Sequence, residues 1–487
     1  MNDNDEVAGA VDTLLASLEA DDRVDHASVG GVVRDRSEVV LTAVETRTAH
    51  QFTDAGVWCR VLAEGASAYR HVGTLDEDAL VEEGKKTVRS AVQLGQDEPE
   101  RYDPETLHRA THGGWGDEEC RRLSLDEQRG RLLEVRDEVL GGSDLERLRL
   151  KYINEAITSM LATTSGTTIT THLDRESTDL SLDAGGGPVR RRHGSTDGTT
   201  IRDTEELLIE ALRDARRLAA HDPVDADLVT GADRNVVLSP LAAGQLAHLV
   251  SRAFEADVAL AGLSPFELGD RIADSALTIT DGVRAGSFAA RAYDAEGRPT
   301  TPVQLVEDGI ARNWLHSVSS AAAMDGDAAG NVVSSIGFER APRIHARHLD
   351  VEGDDATRAD LLDGADIYVE RFHSPWKRKS LIRKLRSGWA PPGARYTPQL
   401  AERIDEETRR DAAGDAMLSV AEGFSVEKGA LNGRLSNVSY AFDFADLRSI
   451  DGIGTRRPTT VGVDEQHKSR IPYAVTAPAI RLSGRIE

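Results

Sequence analysis

The chain has 487 residues and carries 83 Asp and Glu against 58 Lys and Arg, of which only eight are Lys, for a formal net charge of −25. That acidic, lysine-poor balance with 5% aromatics suits a cytosol of molar salt, where repulsion between carboxylates is screened within about 3 Å, and it points to a halophilic, archaeal source. A membrane span, a secretory leader and a disulfide scaffold are excluded as expectations: no run reaches the roughly 18 apolar residues of a membrane helix, Met1 to Glu6 is acidic, and Cys59 and Cys120 form no CxxC, so a soluble cytoplasmic protein is expected.

Val7, Val11, Leu14, Leu15 and Leu18 recur at helical spacing and predict an amphipathic opening helix. Strand-like sequence follows from Ala27 to Gln51, with Val32-Val33 and Val39-Val40-Leu41 as β-branched cores and Asp35-Arg36-Ser37 as the turn between them. Cys59 reads as a small apolar residue in or beside a strand. Leu80 to Leu94 predicts a second helix, Leu132 to Met160 contains a charged, Leu-rich helical stretch, and Thr167 to Ser181 returns to strand. Asp183 to Gly198 reads as a turn-rich loop, its glycines serving turns rather than a phosphate cradle, since no lysine and no clear strand-to-helix step follows. Asp203 with Glu206 predicts a capping box opening a helix to Ala220, which His221-Asp222-Pro223 ends.

The next segment carries the most information. Asn235 to Leu238 is a short apolar strand, Ser239 is a good N-cap, and Pro240 sits at the first helical position, where a missing N–H costs nothing. Leu246, Leu249, Val250, Ala253 and Phe254 then fall at helical spacing, so a helix over 240–257 buries one face inside its domain. Further on, the Asp308-Gly309 pair predicts a hairpin within Leu305 to Ile310. Arg343 to Leu349 alternates as a strand does, which would put His345 and His348 on opposite faces and weaken any shared-metal role.

Ser239-Pro240-Leu241-Ala242-Ala243-Gly244 resembles the SPxxAG-like lead-in of the TldD and TldE (PmbA) proteins, whose TldD members carry a zinc-binding HExxxH on the following helix. With Glu255-Ala256-Asp257 aligned on the family's E-(A/G)-D tail, the two histidine positions are Ala247 and Arg252 and the glutamate position is His248, so the motif reads AHLVSR. Ala247-His248-Leu249 resembles instead the GHL-like version of the metal-free TldE subunits. Weaker similarities run through Gly56 to Asp76, Thr278 to Gly309 and Ile471 to Gly484, and the resemblance as a whole extends over about three quarters of the chain, with its poorest matches at Glu98 to Gly141 and Pro375 to Ala421. The resemblance places a TldD cysteine ligand near Asp464-Glu465-Gln466, so a third expected ligand is also absent. The chemistry agrees with this reading: hydrolytic zinc needs about three protein ligands, an open position for water and a nearby base. Between the helix start and Glu255 only His248 could ligate, and Arg252 would set a permanent positive charge beside the ion.

Between Ser374 and Tyr396 seven basic residues, among them Lys377, Lys379 and Lys384, lie with Trp376 and Trp389 and no acidic residue. This basic insertion near 374–396 reads first as a solvated or intramolecular contact, then as a surface for a protein partner, and last as a grip on nucleic acid. The expected fold is α+β in two domains. Residues 1–222 form an N-terminal α/β domain with a mixed or antiparallel sheet, 223–233 a linker, and 234–487 a strand-rich domain around a central buried helix.

The resemblance implies a TldE/PmbA-like subunit of a TldD-TldE-type metalloprotease complex, acting on peptides or unfolded proteins beside a zinc-bearing TldD-like paralogue, with no metal or catalytic residue of its own. Two alternatives stand beside it. One is an active zinc metallopeptidase using His248, Glu255 and Asp257; the other is a non-enzymatic adaptor working through 374–396. The composition makes its own prediction: the thermal midpoint should rise as KCl is raised toward molar concentration, and a midpoint that stays flat or falls would remove the halophilic reading.

Overall fold

The computed structural model describes residues 3–95, 102, 107–114, 123–141, 145, 147–273, 277–373, 416–465 and 469–487. The basic insertion near 374–396 and Cys120 lie outside them. Helix α1 (Asp3–Glu19) leads into the meander β1 (His26–Thr42), β2 (Thr46–Ala63) and β3 (Ala66–Val72). Helix α2 (Glu77–Leu94), β4 (Arg109–His112), α3 (Leu125–Leu140), β5 (Arg147–Thr163), β6 (Thr168–Asp183), β7 (Val189–Ser195) and α4 (Thr200–Ala219) complete the first half. The strands form one sheet in the order β3-β2-β1-β5-β6-β4, with β7 also on β6.

Alternate residues of β1 face the helices: Val29 and Val33 pack in the core that α1 and α2 close, Ser37 bonds Gln128 of α3, and Val39 and Leu41 lie in the core beneath α3 and α4. The opposite face carries Arg34, Arg36 and Trp58, and it meets the second half through Gly56 against the Phe338 ring and Arg60 against Glu296.

Several local expectations change here. Asp35-Arg36-Ser37 is mid-strand rather than a turn, because β1 is paired on both sides, Asp35 with Thr53 and with Ala156. Its polar residues are satisfied by partners distant in sequence, Arg36 by Glu155 and Ser37 by Gln128. The stretch from Leu132 to Met160 divides into the end of α3 and the strand β5, and the loop expected over Asp183 to Gly198 contains β7. Helix α4 begins at Thr200 with no side-chain cap, and Asp203, instead of capping, faces His193 at 3.1 Å.

The second half opens with β8 (Asp233–Leu238) and α5 (Pro240–Ser251). Short strands follow: β9 (Ile279–Gly282), β10 (Val303–Glu307), β11 (Ile310–Ala311), β12 (Val332–Val333), β13 (Arg343–Ile344), β14 (His348–Val351) and β15 (Ile367–Phe372). The chain closes with β16 (Ala416–Glu427), β17 (Ala430–Arg434), β18 (Ser439–Phe442), β19 (Gly452–Ile453), β20 (Thr459–Asp464), β21 (Ile471–Thr476) and β22 (Ile480–Ile486). One sheet runs β11-β10-β9-β14-β21-β20. The other runs β15-β8-β22-β18-β16-β17 and closes on itself, since β15 also pairs with β16. Helix α5 lies between them, on β8 and β15 of one and β14 and β21 of the other. At the β10–β11 hairpin Asp308 and Gly309 both take positive φ, 48° and 76°, as the Asp-Gly pair predicts.

The chain is a mixed α+β protein, as expected. Its halves are joined by a buried charge network. Glu422 of β16 accepts from Arg371 of β15 at 2.6 Å and from Arg191 of β7 at 2.8 Å, and Arg191 also reaches Asp214 of α4. Burial alone would raise the Glu422 carboxyl, but Arg191 and Arg371 overcome it and hold it below the usual carboxylate range. Glu422→Ala should therefore cost about 3–5 kcal/mol in chemical denaturation at high KCl, because it strands buried guanidinium groups. Glu82→Ala, which removes an exposed pair with Arg89, should cost less than about 1 kcal/mol in the same assay.

Candidate metal centre

Helix α5 starts as its sequence predicts. Ser239 Oγ accepts from the backbone N–H groups of Leu241 and Ala242 and donates to the Glu370 carbonyl, which ties the helix start to β15. Gly244 lets the helix approach closely, since a Cβ there would lie 2.9 Å from Thr460 Oγ1 and 3.5 Å from Val475. The α-helix ends at Ser251 rather than at Asp257. Arg252–Phe254 tightens to a 3-10 turn and Glu255 is extended, because Leu315 pairs with the backbone on both sides of Glu255.

On its inner face α5 presents His248 to two groups from distant chain. His345 Nε2 lies 3.1 Å from Asp464 Oδ2, and His248 Nε2 lies 4.0 Å from the same oxygen. The three residues are 2%, 0% and 2% exposed for His248, His345 and Asp464. His345 Nδ1 is 2.5 Å from the Ala346 carbonyl. An acceptor there makes Nδ1 the protonated nitrogen, so Nε2 can face a carboxylate only if it too carries a proton or if a cation lies between them. The Tyr473 ring stacks on His248 at 3.6 Å and 4°, and it fits because Gly462 opposite it lacks the Cβ that would come within 2.3 Å.

Burial, and then the neighbouring His345, pull His248 down to about 3, so its imidazole is neutral at physiological pH. Burial would raise the Asp464 carboxyl, yet the hydrogen bond from His345 and the nearby Arg252 charge carry it well below the usual range. Tyr473 is pushed up to about 12 by burial and by Asp464. Among the described residues neither ring nitrogen of His248 nor Asp464 Oδ1 has a hydrogen-bond partner. Orphaned buried groups of this kind cost about 1–3 kcal/mol each and are uncommon in native cores.

His345 is held in place indirectly. Asp281, fully buried in β9, accepts from the backbone N–H groups of Arg347 and His348 at 2.7 and 3.1 Å, from Arg347 Nε at 2.9 Å and from Asn331 Nδ2 at 2.7 Å. Asn331 in turn accepts the His345 backbone N–H at its carbonyl. The strand expected over Arg343 to Leu349 is thereby broken into β13 and β14 with His345 between them. His348 points elsewhere, between Ser287 and Thr476.

The positions marked in the sequence are thus distributed unevenly. Ala247 and Arg252 are buried without adding a donor, and Arg252 contributes its charge nearby. Of the set His248, Glu255 and Asp257, only His248 belongs to the cluster: Glu255 is buried against Arg343 at 3.4 Å and Asp257 is exposed. Asp464, read as the place of a missing ligand, supplies a carboxylate. His345 was the donor that strand alternation concealed.

Residues 231–379 match the family of PmbA/TldA metallopeptidase C-terminal domains. The chain is similar to a metalloprotease of Methanothermobacter thermautotrophicus, 23% identical over 51% of this chain and 48% of that protein. It is also similar to one of Methanocaldococcus jannaschii, 36% identical over 20% of this chain and 22% of the other. The matched stretch therefore spans about half or less of these relatives' lengths. The crystal structure of TldE from Thermococcus kodakarensis has the same fold, with a TM-score of 0.71 at 13% identity, over 98% of this chain and 99% of that one. No helix among the described residues is long and apolar enough to cross a membrane.

Beside the centre lies a cavity of about 1010 Å³ between α4, β7 and β20, with Tyr473 as the wall shared with His248 and with Arg190, Arg192 and Arg456 among its lining. Because Asp281 fixes the chain on which His345 rides, Asp281→Asn should lower stability by about 3–5 kcal/mol and speed hydrogen exchange at the His345 amide. An exchange rate equal to that of the unaltered chain would show that His345 is held by something else.

Proposed function

We propose that this chain is the TldE/PmbA-like subunit of a TldD-TldE-type metalloprotease assembly that degrades peptides or unfolded proteins, with the hydrolytic zinc carried by a TldD-like paralogue. One observation carries the reading. On the helix where the family places its ligands and its base, this chain has Ala247, Arg252 and His248, and the donors it does gather are 0–2% exposed. Zinc-dependent peptide hydrolysis requires a metal-bound water, a base to take its proton and room for a substrate carbonyl. In the cluster the carboxylate is itself a donor, and no second carboxylate among the described residues joins it.

The donor types and the orphaned nitrogens of His248 suit a zinc ion, which would be held by His248, His345 and Asp464 and would supply Lewis acidity there. That same observation favours the second reading, a metallopeptidase with non-standard ligands. Closure of the site and the Arg252 charge weigh against it. In the preferred reading this chain's own residues shape access: Tyr473 seals the centre, and the arginines of the adjoining cavity offer contacts to peptide carboxylates and carbonyls.

Co-expression with a TldD-like paralogue, followed by size-exclusion chromatography at molar KCl and a peptide-cleavage assay, tests the proposal. A stable hetero-oligomer more active than the paralogue alone is expected. Separate elution with undiminished activity of the paralogue would refute the subunit role.

A further inference from the structure

We propose that His248, His345 and Asp464 form a closed binding site for one divalent transition-metal ion of the zinc type, built from donors outside the histidine positions of the family's helix motif. The inference goes beyond the subunit reading, which requires only that this chain does not hydrolyse peptides.

Three geometrical facts support it. The donor atoms of the three side chains all lie within 4.8 Å of one another, with edges of 3.1 and 4.0 Å meeting at Asp464 Oδ2. Tetrahedral zinc with bonds of about 2.0–2.1 Å sets its ligand atoms roughly 3.3 Å apart, so small side-chain shifts would close the triangle on an ion. His345 directs Nδ1 at the Ala346 carbonyl, the outer contact that fixes tautomer and ring direction in metal-bound histidines, and so aims Nε2 inward at Asp464. His248 is enclosed and without a hydrogen-bond partner for either nitrogen among the described residues, and Asp464 Oδ1 is equally without one. A bound cation gives the inward-facing nitrogens and the carboxylate a common partner.

The chemistry also selects the ion. Two imidazoles and one carboxylate suit zinc and its neighbours, whereas magnesium and calcium prefer all-oxygen shells. The local charge tempers affinity without forbidding it. Arg252 and Arg343 bring positive charge, and Arg343 is itself directed at Glu255 at 3.4 Å. The donors come from α5, from the segment that Asp281 anchors, and from the end of β20. A metal here would therefore pin the helix to both flanking stretches of the β11-β10-β9-β14-β21-β20 sheet.

Cobalt(II) is the probe. Full-length chain, stripped with a chelator at molar KCl, would be titrated with cobalt(II) and then with zinc, with elemental analysis of the dialysed protein and peptide cleavage followed in parallel. About one ion per chain is expected, with the visible absorption of tetrahedral cobalt, its displacement by zinc, and a higher thermal midpoint. His345→Ala and Asp464→Asn should lose stoichiometric binding, while His348→Ala, a buried histidine outside the cluster, should keep it. Absence of stoichiometric cobalt or zinc in the folded unaltered chain overturns the site whether or not the variants fold, and so does unchanged binding by folded His345→Ala and Asp464→Asn. Metal bound without peptide cleavage supports both readings. Metal bound with cleavage that the chelator abolishes upholds the site and refutes the non-hydrolytic role.

Discussion

The candidate centre depends on the buried carboxylate of Asp281. With no exposure to solvent, it is balanced by the Arg347 guanidinium and by backbone and side-chain donors from two other segments. A buried charge is tolerable only when its hydrogen-bonding capacity is met, so the chain around residues 331 and 347 must come to Asp281. Once it does, Asn331 receives the His345 amide and the imidazole is delivered beneath α5. A strand continuing from Arg343 to Leu349 could not meet those demands, which is why two short strands replace it.

Arginine recurs in several of the buried ion pairs among the described residues of this acidic protein. Arg347 with Asp281, Arg371 and Arg191 with Glu422, and Arg36 with Glu155 are all largely enclosed. A planar guanidinium satisfies a carboxylate through several fixed donors and is less strongly hydrated than an ammonium, so its desolvation is more easily offset. The fifty arginines and eight lysines then reflect two pressures at once: a surface kept acidic, and an interior and inter-half seam whose cations must be forked.

Helix α5 separates scaffold from chemistry. Its cap, its apolar face and the close approach at Gly244 are what bind it between two sheets, and none of these needs a metal. The helix can therefore hold its place, in a fold shared with the TldE of Thermococcus kodakarensis, with or without metal ligands on it. The donors that do converge, His345 and Asp464, arrive from other elements, so the centre belongs to the tertiary arrangement and not to the helix.

By itself the sequence determined whatever is set within a few residues: the Ser239-Pro240 start of α5, its buried Leu246-to-Phe254 stripe, the Asp308-Gly309 hairpin and the mixed α+β class. Those features follow from local backbone sterics and from periodicity, and nothing distant overrides them. The tertiary structure decided where polar residues go. Asp35-Arg36-Ser37 looked like a turn until Glu155 and Gln128 supplied partners, and Asp203 looked like a cap until His193 faced it. His345 looked separated from His248 until Asp281 bent its strand, and Asp464 became a donor only when β20 set it 3.1 Å from His345. A polar side chain has several adequate local partners, and the choice among them falls to long-range burial, which leaves no periodic trace in the sequence.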